Sequence, residues 1–188
     1  MKKSRGLSMG LLLALLSILI IGGTLVYFTE KTKAEKAQVA RVNYDLLVKS
    51  QVETAVSMLQ KIYDKHAKGE YSLAYAKKLG ADLLRDLRYG DKKDGYFWAD
   101  TSDGTNVVLY GKKDIEGKNR WDSYVGGVYH VREIVANGKK AGGGFTDYYF
   151  YRKDDDKILA KRGYSLWFQP FDWIVGTGYY LDDIKTGQ

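Results

Sequence analysis

Residues 142–180 read GGGFTDYYFYRKDDDKILAKRGYSLWFQPFDWIVGTGYY. Three runs rich in Tyr, Phe, Trp, Val and Ile are separated by Asp154-Asp155-Asp156 and by Gln169-Pro170-Phe171-Asp172. Runs of this composition, punctuated by Asp, Gly and Pro clusters, predict three sequential antiparallel strands. Alternation places Thr146, Tyr148 and Phe150 on one face of the first strand, with Asp147, Tyr149 and Tyr151 on the other. By the same rule Lys161 and Tyr164 point to opposite faces of the second strand. They share a face only if Arg162-Gly163 forms a bulge, which a glycine permits.

Upstream, Gly95-Tyr96-Phe97-Trp98-Ala99-Asp100 and Asn106-Val107-Val108-Leu109-Tyr110 flank the turn signal Thr101-Ser102-Asp103-Gly104, which predicts a hairpin. An irregular polar segment, residues 111–126, follows it. Val128, Val131, Ile134 and Val135 then recur at helical spacing, with Gly138 near the end. The order is long helix, helix, two strands, helix, three strands. That order predicts an α+β domain, with five antiparallel strands and helices to one side.

The N-terminal third is different. Residues 7–28 carry no charge, and at about 1.5 Å per residue they span a hydrocarbon core of roughly 30 Å. Lys2, Lys3 and Arg5 precede them, so the positive-inside bias keeps residues 1–6 in the cytoplasm and delivers the remainder outside. The run exceeds the roughly 7–15 apolar residues of a signal sequence and lacks an A-x-A site, which favours an uncleaved anchor in the inner or plasma membrane. Residues 29–90 read as a polar stalk that gains a largely apolar stripe (Tyr44, Leu47, Val48, Val52, Ala55, Leu59, Ile62 and His66), and then a second helix capped by Ser72. The stripe needs a partner, either the domain itself or a second stalk in a homodimer.

Composition excludes several classes of function. There is no cysteine and there are two histidines, which removes thiolate chemistry and makes no case for a metal site. The net charge is +7, but without the three N-terminal cations 27 basic residues face 23 acidic ones. The excess is scattered, which does not read as a nucleic-acid footprint. No G-x-S-x-G, H-E-x-x-H or P-loop signature occurs, and Gly176-Thr177-Gly178 is a lone G-x-G. An enzyme is not expected, nor a cofactor.

An ordered set of motifs carries a resemblance. Arg88-Tyr89-Gly90, Gly95-Tyr96-Phe97-Trp98, Glu116-Gly117-Lys118-Asn119, Gly143-Gly144-Phe145-Thr146-Asp147-Tyr148, Lys161-x-x-Tyr164-Ser165 and the block from Trp173 to Ile184 occur in sequence. Together they resemble the single Cache domain (sCache_2 type), the extracytoplasmic sensor domain of bacterial chemoreceptors and sensor kinases. The resemblance implies a PAS-like five-stranded sheet on a long N-terminal helix, with the ligand-binding core over residues 91–184 and an exit segment at 185–188. It also implies a pocket for a small organic carboxylate such as acetate, propionate, pyruvate or lactate, read out by a cytoplasmic output domain or a partner protein. Where many members carry His-Pro, this chain has Tyr110-Gly111.

A carboxylate taken out of water needs a cation and hydrogen-bond donors. Lys161 with the hydroxyls of Tyr110, Tyr148 and Tyr164 supplies them, Trp98 adds a wall or a donor, and Arg88 is a second candidate cation. Core packing is the alternative role for Trp98, Tyr148 and Tyr164, a solvent-facing strand position is the alternative for Lys161, and capping of helix-end carbonyls is the alternative for Arg88. A non-catalytic structural or protein-interaction module with a packed aromatic sheet is the alternative for the whole domain. The sequence stops at Gln188, which fits either a piece of a longer receptor or a stand-alone protein signalling through a partner.

Overall fold

A computed structural model describes residues 8–152 and 155–186. The basic flank at Lys2, Lys3 and Arg5, the residue Asp154 of the expected turn, and the last two residues lie outside them. The chain divides into two compact units, Met1–Arg41 and Val42–Gln188. The first helix, α1 (Met9–Ala67), contributes to both.

In the first unit α1 contains a stretch long and apolar enough to cross a membrane. Its serine and threonine hydroxyls bond back to helix carbonyls. Ser17 donates to the Leu13 carbonyl at 2.9 Å, Thr24 to Ile21 at 2.8 Å and Thr29 to Leu25 at 2.8 Å. A segment that leaves water requires this economy, since an unpaired polar group in hydrocarbon is costly.

In the second unit α1 ends at Ala67, and a left-handed Gly69 turns the chain. Helix α2 (Leu73–Asp86) starts at Ser72, whose side chain accepts the Tyr75 N–H at 3.1 Å as the sequence predicts. Strands β1 (Trp98–Thr101) and β2 (Asn106–Leu109) form the hairpin. Helix α3 (His130–Gly138) follows the irregular segment, and β3 (Gly144–Arg152), β4 (Asp155–Phe168) and β5 (Trp173–Tyr180) complete the sheet before α4 (Leu181–Thr186). All pairs are antiparallel, in the order β2-β1-β5-β4-β3.

The expectation of helices on one side of the sheet is not met. On one face Ala55 and Leu59 of α1, with Ala76 and Leu84 of α2, pack on Phe97, Ala99, Val108, Phe168 and Val175. On the other, Val131, Ile134 and Val135 of α3 pack on Trp98, Leu109, Tyr148 and Ile174. Periodicity shows that a helix has an apolar stripe but not which sheet face it covers. The near-continuous apolar run of β5 belongs to a strand buried on both faces, and all but one of its residues are buried.

The β4 ladder settles the question at Arg162-Gly163. Lys161, Arg162, Gly163 and Tyr164 pair in unbroken register with Tyr148, Asp147, Thr146 and Phe145 of β3, and with Tyr180, Tyr179, Gly178 and Thr177 of β5. There is no bulge. Gly163 serves a different purpose, because a Cβ there would lie 2.8 Å from the Trp98 ring. A Cβ on Gly176 of β5 would come within 2.6 Å of the same indole. Trp98 lies across two glycines on neighbouring strands, at a distance only a bare backbone allows.

Candidate functional site

Under α3, on the sheet face that carries Trp98, Tyr148 and Lys161, lies a cavity of about 10 Å³. That is room for about one water. Tyr96, Trp98, Arg120, His130, Tyr148 and Lys161 give it polar groups, and Leu109, Ile134 and Phe150 give it apolar wall.

Lys161 is 1% exposed. Its Nζ donates to the Tyr96 hydroxyl at 2.6 Å and lies 4.4 to 5.6 Å from the centroids of Tyr96, Tyr180, Trp98 and Phe150. Among the described residues no carboxylate forms an ion pair with it. Aromatic faces attract a cation but replace only part of its lost hydration. Burial therefore pulls the Lys161 ammonium down from 10.5 to about 8, with Tyr180 and Asp183 opposing.

Two further groups lack partners. Nε1 of Trp98 and both ring nitrogens of His130 are buried without a hydrogen bond. His130 opens α3, is 1% exposed, and stacks on Tyr148 at 5.7 Å with an interplanar angle of 11°. Burial, then the charges of Arg120 and Lys161, depress its imidazole to about 4. At neutral pH it is an uncharged ring with one donor and one acceptor.

Arg120 comes from the irregular segment and is already engaged. Its Nη2 donates to both Asp100 carboxylate oxygens at 2.7 Å, and Nε donates to Oδ1 at 3.2 Å. Asp100 is fully buried and also accepts from Asn106 at 2.9 Å. Burial raises the Asp100 carboxyl, while Arg120 and Asn106 hold it down. The pair ties the covering segment to β1, while Lys161 has no carboxylate partner among the described residues. Converging donors, one such ammonium and an apolar wall are the features that suit a bound anion.

Of the six residues the sequence suggests, Trp98, Tyr148 and Lys161 line this cavity. Tyr164 does not. On a regular strand it faces away from Lys161, packs with Val48 and Val52 of α1, and donates its hydroxyl to the Gly142 carbonyl. Tyr110 and Arg88 stand behind Tyr96. The Tyr110 ring lies 5.4 Å from that of Tyr96, and the Arg88 guanidinium stacks on Tyr110 at 3.7 Å. Arg88 donates to the carbonyls of Arg85 and Leu87, the helix-end role open to it from the sequence. His130 and Arg120 were not legible as site residues. Tyr96 was legible only as sharing the Trp98 face.

The family model described as Single Cache domain 2 matches residues 40–188. The chain belongs to this family. Among its relatives, this Cache chain is 35% identical over 131 residues to the sensor histidine kinase MctS of Rhizobium johnstonii, covering 69% of this chain and 27% of that protein. It is 26% identical over 141 residues to the methyl-accepting chemotaxis protein McpP of Pseudomonas putida, covering 72% and 25%. The Cache chain thus spans about a quarter of the length of these curated relatives. A crystal structure of a methyl-accepting chemotaxis protein from Vibrio parahaemolyticus superposes with a TM-score of 0.70 at 26% identity, covering 81% of this chain and 98% of that one. A Cache chemosensory domain described for carboxylic acid recognition shares the fold, with a TM-score of 0.69 at 24% identity, covering 76% and 96%.

Proposed function

We propose that this Cache domain is the extracytoplasmic, non-catalytic sensor part of a membrane-anchored receptor, and that its cavity binds a small organic carboxylate of the acetate, propionate, pyruvate or lactate class. The carrying observation is Lys161, a fully buried ammonium with no carboxylate partner among the described residues, beside the unpaired Trp98 N–H and His130 ring. A carboxylate supplies the counter-charge and the acceptors these groups lack. The ligand's carbon tail meets Leu109, Ile134 and Phe150. A cavity sized for about one water admits a two- or three-carbon acid only if α3 and residues 111–129 move outward, so occupancy shifts the cover. The exposed Val42, Leu46 and Leu47 of α1 support a homodimer through that helix. Kinase- or chemotaxis-type output, in a longer chain or a partner, then reads the shift.

A thermal-shift series on the full chain in mild detergent tests this reading. Acetate, propionate, pyruvate and lactate are titrated to millimolar levels, with stabilisation expected to grow by mass action for at least one acid. Lys161→Met is expected to abolish the shift in a folded protein. No shift with any acid supports a packed interaction module instead.

A further inference from the structure

Tyr180 ends β5 and immediately precedes α4. It pairs with Lys161 in the β4–β5 ladder, and its ring centroid lies 4.9 Å from the Lys161 ammonium. A second cation shares the ring, with the Arg152 guanidinium carbon 4.6 Å from the centroid. Arg152 donates to the Asp183 carboxylate at 2.8 Å, and the other oxygen of that carboxylate accepts the Tyr180 backbone N–H at 3.3 Å. The Tyr180 hydroxyl donates to the Tyr151 carbonyl at 2.7 Å, which fixes the ring against β3. One side chain therefore touches the cation of the cavity, the edge strand, and the arginine that holds the first turn of α4.

We propose that Tyr180 is a positioning residue that couples the state of the Lys161 ammonium to the start of α4. The proposal rests on the reading of Lys161 as the counter-charge of a bound anion. With no carboxylate partner among the described residues, the ammonium leans on the aromatic faces around it, and Tyr180 is one of four described. A carboxylate in the cavity competes with those faces for the charge. As Lys161 turns to the carboxylate, the ring loses that cation and keeps Arg152, and the Arg152–Asp183 clamp on α4 resets. The device needs no movement of the β4 ladder, which is paired on both sides and resists displacement. It works through a side chain at the last strand position, where the sheet's constraint ends.

Amide hydrogen exchange of α4, measured on the full chain in mild detergent, tests the coupling with or without a ligand. Lys161→Met removes the cation and is expected to speed α4 exchange about 2- to 5-fold, while the core amides of β1 and β5 slow with the gain in global stability. Tyr180→Phe keeps the ring and is expected to keep this response. Tyr180→Leu is expected to speed α4 by itself and to cancel any further effect of Lys161→Met. Unchanged α4 exchange in Lys161→Met overturns the coupling, as does an equal response to that substitution in the Tyr180→Leu background. Should Tyr180→Leu not fold, the Lys161→Met response in the wild-type and Tyr180→Phe backgrounds decides alone. Acetate is expected to change α4 exchange in the same direction as Lys161→Met. Binding of acetate without an α4 response overturns the coupling. An α4 response to Lys161→Met in a protein that binds no acid upholds it while removing the ligand reading.

Discussion

Replacing Lys161 by methionine is expected to make the unliganded domain more stable while removing its affinity for an anion. The ammonium titrates near 8 in the fold against 10.5 in the open chain. At about 1.4 kcal/mol per pH unit, that gap is a penalty of about 3 kcal/mol on the folded state wherever both states are protonated, that is, below about pH 8. The sign follows from proton counting. Between the two values the unfolded chain binds more protons, so wild-type stability rises as pH goes from about 8 to about 10.5. Methionine removes the penalty but also the hydrogen bond to Tyr96 and the contacts with the surrounding rings, together worth about 1–2 kcal/mol. A net gain of about 1–2 kcal/mol at neutral pH remains, a rise in Tm of about 4 °C for a chain of this size. Thermal or urea unfolding of both proteins at about pH 7 and about pH 10 reads it, with the gain expected to shrink at the higher pH. A Lys161→Met protein less stable than wild type at neutral pH, or a wild type whose stability is flat across that window, refutes the argument.

Three further substitutions probe the frame around this lysine. Gly176→Ala places a Cβ 2.6 Å from the Trp98 indole and is expected to cost about 1–3 kcal/mol in urea unfolding, with a shifted tryptophan emission. Arg120→Met leaves the fully buried Asp100 without its partner and is expected to cost about 3–5 kcal/mol, measured the same way. Tyr164→Phe removes one hydroxyl from the α1 side of the sheet and is expected to cost about 1 kcal/mol while leaving carboxylate affinity unchanged by calorimetry. A tenfold loss of affinity there returns Tyr164 to the site.

The sheet was legible because its signals are local. Aromatic and β-branched runs broken by Asp, Gly and Pro mark β3, β4 and β5, and alternation within each strand sorts Tyr148 from Tyr149 without reference to anything distant. Lys161 stood out only through the family resemblance, since a strand lysine by itself reads as solvent-facing. Tyr164 stood as a candidate on one condition. Parity placed it opposite Lys161, and only a bulge at the glycine between them, which the ladder lacks, brings the two together. That glycine instead answers to Trp98, 65 residues earlier in the chain, which no reading of β4 by itself reveals. His130 and Arg120 depend on the same kind of distant cause. Arg120 sits in a segment without periodicity and is placed by its pair with Asp100, 20 residues away. His130 is one position in a nine-residue helix whose stripe does not say which sheet face it will cover.

The indole lying across Gly163 and Gly176 also constrains how this sequence can change. Bulk on β1 is matched by vacancy on β4 and β5, so the three positions form a unit spread over three strands. A smaller residue at position 98 opens a trench, and a larger one at 163 or 176 collides with the ring. Neither step has an intermediate that packs. Change at this floor is therefore expected to proceed by joint replacement, whereas Leu109, Ile134 and Phe150 contribute side chains to the wall and can change one methylene at a time. Divergence of ligand preference among descendants of this chain is expected to be written on the wall, with the tryptophan and its two glycines inherited as one character.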